Sequence, residues 1–116
     1  MTNKSSTPSE ETYEIYVIRL KRCAAERPAF REKNPNYQPG KPVVYVGSTK
    51  QGIEVRFKQH MSGGMMSSST VRRYGRRLFP WAYRGLPTYT NEHEAKKAEE
   101  AHAENLRSKG WCVWQN

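Results

Sequence analysis

The chain has 116 residues, of which 20 are Lys or Arg and 11 are acidic, so its net charge is +9. All the acidic residues are Glu, and the lack of Asp excludes Asp-based two-metal nucleases, aspartyl phosphatases, EF-hands and Ser-His-Asp triads. Metal binding or acid–base chemistry must therefore depend on Glu, His, Tyr or Cys.

The length predicts one domain, and no apolar run approaches the ~20 residues of a membrane span. Residues 1–11 have no apolar signal-peptide core and are expected to be disordered, which leaves 12–116 as the domain. Cys23 and Cys112 are too few for a disulfide framework or a zinc site, and we expect free thiols in a cytoplasmic protein.

The first half of the domain predicts two strands and a helix. Tyr13 to Leu20 is rich in β-branched and aromatic residues and predicts a strand, as does the apolar run Val43 to Gly47. Between them, 21–42 contains several prolines and predicts a long polar loop with at most a short helical turn before Pro28. Ile53 to Met61 has apolar residues at i, i+4 and i+8, which predicts a helix that ends at Ser62-Gly63-Gly64.

The second half predicts a long helix and a last strand. The stretch 71–78 fits a short helix or a loop. Asn91 is a helix N-cap followed three residues later by Glu94, and the helix is expected to run to about Lys109, with Gly110 as its cap. Trp111 to Trp114 predicts a strand. The fold class is therefore α+β with one small sheet.

The positive charge is concentrated in one stretch. No acidic residue lies between Glu54 and Glu92, where seven Arg or Lys residues are interleaved with aromatic residues. This pattern favours nucleic-acid binding over a merely solvated basic face. The candidate nucleic-acid-binding residues are Lys50, Arg72, Arg73, Arg76 and Arg77.

Helical spacing marks three further residues. Glu99 falls on the inward stripe of the last helix with Ala95 and Leu106, and such a carboxylate needs a metal, a cation or hydrogen-bond donors. A metal site and a structural ion pair with an Arg are equally good explanations. Arg56 and His60 lie four residues apart on one helix face, where they could serve phosphoryl transfer or be unrelated surface residues.

The sequence resembles the GIY-YIG nuclease superfamily. Ile15-Tyr16 and Tyr45-Val46-Gly47 are similar to its two strand motifs, and G-S-T-K, R-F-K-Q-H and E-A-K-K-A-E follow in the family's order. The resemblance covers 13–114. The chain departs from the pattern at Glu14 and Val46, and in a longer gap between the two motifs.

The resemblance implies an α+β fold with a small central three-stranded antiparallel sheet flanked by helices. It also implies a divalent-metal-dependent endonuclease that hydrolyses DNA phosphodiester bonds. Its implied catalytic residues are Tyr16, Tyr45, Arg56, His60 and Glu99. Glu99 would hold one Mg²⁺ or Mn²⁺ ion, Tyr45 or Tyr16 would activate or position water, and Arg56 would stabilise the phosphate transition state. His60 would assist proton transfer or hold Tyr16, and Asn116 is the only candidate for the family's late Asn.

The expected partner is DNA or RNA, and the expected location is the cytoplasm of a bacterial or phage-infected cell. Two alternatives remain at this point. The first is a non-catalytic nucleic-acid-binding domain on the same fold, and the second is a basic interaction protein for an acidic partner. Tyr16, Tyr45, Arg56 and Glu99 favour the enzyme over the first, and the interleaved aromatic residues favour nucleic acid over the second.

Overall fold

A computed structural model of the chain describes residues 12–64 and 67–115. The expected disorder of 1–11 and the candidate Asn116 lie outside the described residues. Within these ranges there are four α-helices, α1 Pro28–Lys33, α2 Ile53–Ser62, α3 Ser69–Tyr74 and α4 Glu92–Ser108. The strands are β1 Tyr13–Leu20, β2 Val43–Thr49, β3 Gly75–Leu78, β4 Thr88–Tyr89 and β5 Cys112–Trp114. No helix of this described part is long and apolar enough to cross a membrane.

The strands form one mixed sheet in the order β3-β1-β2-β5, with the short β4 also paired to β1. β1 is antiparallel to β2, β3 and β4, whereas β5 is parallel to β2. The α+β class is confirmed, but the predicted three-stranded antiparallel sheet differs from this sheet in strand number and direction. A parallel neighbour requires a long crossover, and the chain between β2 and β5, which includes α4, provides it.

The two faces of the sheet pack against different elements. Successive side chains of a strand point to opposite faces, so Tyr16 and Ile18 lie on what we call the first face, with Val71 of α3. Val17 lies on the second face, against Ala103 and Leu106 of α4. The catalytic candidates in the strands therefore lie on the face away from the long helix.

The segment 21–42 is a folded part of the core and not the long polar loop expected from its prolines. It forms a 3₁₀ turn at Arg22–Glu26 and then α1, with Pro28 as the first helical residue. Proline suits this position because its missing N–H would have no partner there. Phe30 is buried and stacks on Trp114 of β5, with ring centroids 4.6 Å apart.

Asn34, at the end of α1, joins this segment to β5 and α4. Its amide nitrogen donates to the carbonyls of Phe30 and Val113, at 2.8 and 3.1 Å. Its amide oxygen accepts from the Val113 N–H at 2.8 Å and from the Arg107 Nε at 3.1 Å. Both polar atoms of this buried amide are therefore satisfied, as burial requires.

We expect Asn34→Ala to destabilise the fold by about 2–4 kcal/mol, because it leaves several buried donors and acceptors without partners. The measurement is the free energy of unfolding in urea. Asn36→Ala is the control, since Asn36 is exposed, and it should change that free energy by less than about 0.5 kcal/mol. Equal effects of the two variants would show that the Asn34 network contributes little.

Candidate active site

Two adjacent strands bring Tyr16 and Tyr45 together on the first face. Their ring centroids are 6.2 Å apart, and Tyr16 lies directly across from Gly47 in the β1–β2 pairing. A Cβ atom at Gly47 would lie 2.6 Å from the Tyr16 Oη, closer than real atoms approach. The glycine of Tyr45-Val46-Gly47 therefore makes room for the first tyrosine.

His60 of α2 is fully buried between the two tyrosines and α3. Its ring centroid is 6.1 Å from that of Tyr16 and 5.5 Å from that of Tyr45. The predicted inward stripe placed Met61 in the core, but its side chain is 41% exposed. The inward face of α2 includes His60 because both ring nitrogens have partners there.

Those partners determine the protonation of the His60 ring. The Ser68 N–H donates to Nδ1 at 2.9 Å, so Nδ1 has no proton. A neutral imidazole then has its proton on Nε2, which donates to the Tyr16 Oη at 2.9 Å. Burial, with a smaller effect of the Arg56 charge, lowers the pKa of His60 to about 4. His60 is therefore neutral near pH 7.

The hydroxyl groups of Tyr16 and Tyr45 both keep their protons near pH 7. Burial raises the pKa of Tyr16 and of Tyr45, because it disfavours the phenolate. The Glu99 charge raises the pKa of Tyr45 further, whereas the Arg56 charge acts on both tyrosines in the opposite direction. Arg56 also acts on Tyr16 through a side-chain hydrogen bond, which lowers the pKa of that phenol.

Glu99 lies on the second face of the sheet, and its charge acts on Tyr45 of the first face. It is on α4, 2% exposed, and accepts hydrogen bonds from the Ser48 hydroxyl and the Gln115 amide, each at 3.0 Å. It also forms an ion pair with Lys96 at 3.6 Å.

The donor set limits which metal Glu99 would suit. Among the described residues, no three His, Cys or acidic side chains lie close enough to hold an ion together. Each carboxylate oxygen has about two acceptor positions, so both oxygens keep capacity beside the Ser48 and Gln115 bonds. A single carboxylate with free oxygen capacity fits Mg²⁺, which keeps several waters and takes phosphate oxygens as ligands.

The predicted nucleic-acid-binding residues do not form one cluster with the tyrosines. The four predicted arginines are exposed on α3 and β3, and Lys50 lies over the Tyr13 ring at 5.9 Å. Arg72 donates to the Ser67 hydroxyl at 3.3 Å, beyond the end of α2. The stretch 71–78, for which a helix and a loop both remained open, contains the end of α3 and the edge strand β3.

Ser68, Ser48 and Gln115 are site residues whose roles the sequence did not indicate. Ser68 is buried, and its hydroxyl caps α3 by accepting from the Val71 N–H at 3.3 Å. A serine three residues before the first apolar residue of a helix is a recognisable cap signal. Nothing in the local pattern indicates that its N–H meets His60, or that Gln115 meets Glu99.

Comparison of the chain with protein-family models gives no match, and comparisons with curated proteins and with solved structures give none either.

Gly47→Ala should destabilise the fold by about 1–3 kcal/mol, because the new methyl group meets the Tyr16 ring and forces it to shift. The measurement is unfolding in urea. Gly64→Ala is the matched control, since no atom lies within 4 Å of a Cβ there, and it should be close to neutral. A neutral Gly47→Ala variant would mean that the Tyr16 ring has room to move.

The pKa of His60 predicts a specific loss of stability in acid. The folded-state pKa of about 4 lies below the ordinary value of 6.5, so only the unfolded chain gains this proton between these values. Stability should therefore be complete above pH 6.5 and fall by up to about 3 kcal/mol as the pH drops to 4. His60→Gln should flatten this part of the pH profile of the unfolding free energy. A profile of unchanged steepness would contradict the assignment.

Proposed function

We propose that the protein is a divalent-metal-dependent endonuclease of the GIY-YIG type that hydrolyses DNA phosphodiester bonds. The observation that supports this function best is the convergence of Tyr16, Tyr45, Arg56 and His60. They come from β1, β2 and α2 and lie together on one face of the sheet, with the charge of Glu99 acting on Tyr45. A basic chain with two phenols and a guanidinium at one site, and a carboxylate whose charge acts on one of the phenols, suits phosphate chemistry.

In this proposal, Tyr16 is a positioning residue, and Tyr45 orients the attacking water and, as a phenolate formed by loss of its own proton to solvent, accepts the proton of that water. The Nε2–H of His60 donates to the Tyr16 oxygen and holds the phenol in place. Tyr45 interacts with the side chains of Tyr16 and Ser68, and both interactions favour its ionised form. A phenol has an ordinary pKa near 10 and burial raises the pKa of Tyr45. Tyr45 therefore depends on these donors and on Arg56 to stabilise the phenolate that accepts the proton.

Arg56 would bind the scissile phosphate. Its charge acts on both tyrosines and on His60, which supports a role of its guanidinium beside the proposed water position. One of its terminal nitrogens donates to the Gln59 side chain at 2.9 Å, so the group is oriented before substrate arrives. A preorganised contact of this kind typically contributes about a hundredfold or more to the rate.

Glu99 would hold the divalent ion, Mg²⁺ or Mn²⁺. The bound ion would supply positive charge for the phosphate oxygens in the transition state. Ser48 and Gln115 hold the carboxylate in place through their hydrogen bonds. Such support from surrounding side chains is typical of metal ligands in proteins.

DNA is the proposed substrate and the cytoplasm the proposed location. The exposed arginines of α3 and β3 would contact the phosphate backbone, and RNA would meet the same contacts. A non-catalytic nucleic-acid-binding domain is the second candidate function. It is favoured by one observation, that both oxygens of Glu99 already accept hydrogen bonds from protein groups.

Purified protein with Mg²⁺ or Mn²⁺ should nick or cut plasmid DNA, and Glu99→Gln should reduce the rate at least a hundredfold. The glutamine has the same shape, so it removes the charge with little change in volume. Glu100→Gln is the matched control, because Glu100 is the next residue of α4 and is exposed. It should cut at the rate of the unmodified protein.

Cutting that persists in Glu99→Gln, or in excess chelator, would falsify the metal assignment. DNA binding without any cutting by the unmodified protein would favour the non-catalytic candidate. Circular dichroism and urea unfolding of each variant would separate a loss of chemistry from a loss of fold.

A further inference from the structure

A like-charged pair lies on the second face of the sheet, at its edge. Arg19 of β1 and Arg77 of the edge strand β3 are direct cross-strand partners. Like charges directly opposite each other in an antiparallel pair are destabilising. Among the residues that the structure describes, no carboxylate forms an ion pair with either arginine. The fold therefore tolerates a concentration of positive charge that an anion would relieve.

The surroundings of Arg19 strengthen this concentration. Its guanidinium lies over the Phe79 ring, 5.0 Å from the centroid. Burial lowers the pKa of Arg19, and the charges of Arg77, Arg76 and Arg22 lower it further. The charges of three other arginines thus act on Arg19 at this edge, as they would around a phosphate group.

An exposed tryptophan follows the strand directly. Trp81 is 79% exposed, the highest value among the large hydrophobic residues exposed in the described ranges. The Arg84 guanidinium lies over its ring, 4.8 Å from the centroid. Arginine beside an exposed aromatic ring is the combination on which unpaired bases stack in single-stranded nucleic acid complexes.

Trp81 lies in a turn whose backbone is held by hydrogen bonds. Pro80 begins the 3₁₀ turn Pro80–Ala82, and its carbonyl accepts from the Arg84 N–H at 2.8 Å. The Ala82 carbonyl accepts from the His102 Nε2 of α4 at 2.7 Å. The backbone that carries the ring is therefore held in place before any ligand arrives, which reduces the entropy lost on binding.

The like-charged pair and the tryptophan are close enough for one strand of DNA. Arg77 and Trp81 are four residues apart, so their Cα atoms are at most roughly 14 Å from each other. This equals the length of about four nucleotides at B-form spacing of 3.4 Å per strand. A strand whose phosphates contact Arg19 and Arg77 would thus have a base within reach of Trp81.

We propose that Arg19, Arg77, Trp81 and Arg84 form a binding surface for single-stranded DNA, which we call the edge surface. This inference rests on the proposed function and narrows its substrate to DNA that contains an unpaired segment. A base must be unstacked from its neighbours to lie on Trp81, and the interior of a duplex does not offer one. The arginines would bind single-stranded and duplex DNA alike, whereas the Trp81 ring would favour the single strand.

The test measures DNA binding by fluorescence anisotropy at several salt concentrations, with EDTA present. One labelled probe is a single-stranded oligothymidylate of twelve nucleotides, and the other is a duplex closed by loops at both ends. Trp81→Ala should weaken binding of the single strand roughly tenfold and leave the slope of log affinity against log salt unchanged. It should leave the affinity for the closed duplex unchanged. Trp81→Phe keeps a ring and should stay within about threefold of the unmodified protein.

The arginines are tested through the salt dependence. Arg77→Ala should reduce the magnitude of the single-strand slope by about 0.7, the value for one lost phosphate contact. Lys109→Ala removes an exposed cation at the end of α4 and should leave the slope unchanged. Unfolding in urea checks that every variant is folded.

Equal single-strand affinity of Trp81→Ala and the unmodified protein would overturn the proposal, as would equal losses for both forms of DNA. These measurements need no cleavage, so they are independent of the nuclease assay. Glu99-dependent cutting with no effect of Trp81→Ala refutes the edge surface alone. A clear effect of Trp81→Ala without any cutting refutes the nuclease alone.

Discussion

The fold depends on one buried, neutral imidazole. His60 connects α2, the N-terminus of α3 and β1 through two hydrogen bonds, and each of its nitrogens has one role. A buried polar ring without these partners would cost about 1–3 kcal/mol for each unsatisfied group. The same two bonds determine which nitrogen has the proton, and so they fix Tyr16 as an acceptor. Core packing and the proposed chemistry thus use the same interaction.

The sheet separates two kinds of surface. The first face holds the aromatic rings around His60, where burial keeps both phenols protonated. The second face packs on α4, and at its edge Arg19 faces Arg77. Glu99 belongs to the second face by its packing, yet its charge acts on Tyr45 of the first. The sheet is a single layer, so a carboxylate on the second face can influence a phenol on the first face.

Much of the fold could be predicted from local patterns. The bounds of α2 and α4 agree with the sequence because caps act within a few residues, as when the Asn91 side chain accepts from the Glu94 N–H at 3.1 Å. The strand β3, with the residues G-R-R-L, has no apolar alternation, so only its pairing with β1 defines it. The direction of β5 depends on the path of the chain through α4. Proline at the start of α1 was interpreted as a helix breaker, although it is compatible with the first turn.

For the candidate site, the sequence by itself determined the chemistry that is present: eleven Glu without Asp, an acid-free basic stretch, and tyrosines in two strands. It also determined that Glu99 points inward, because helical phase depends only on spacing. The tertiary structure alone decided that His60, rather than Met61, enters the core. It also decided that Ser48 and Gln115 bind Glu99, and that Arg19 opposes Arg77. Each of these contacts joins residues that are distant in sequence. A local pattern of hydrophobic and polar residues does not indicate which distant residue a side chain will contact.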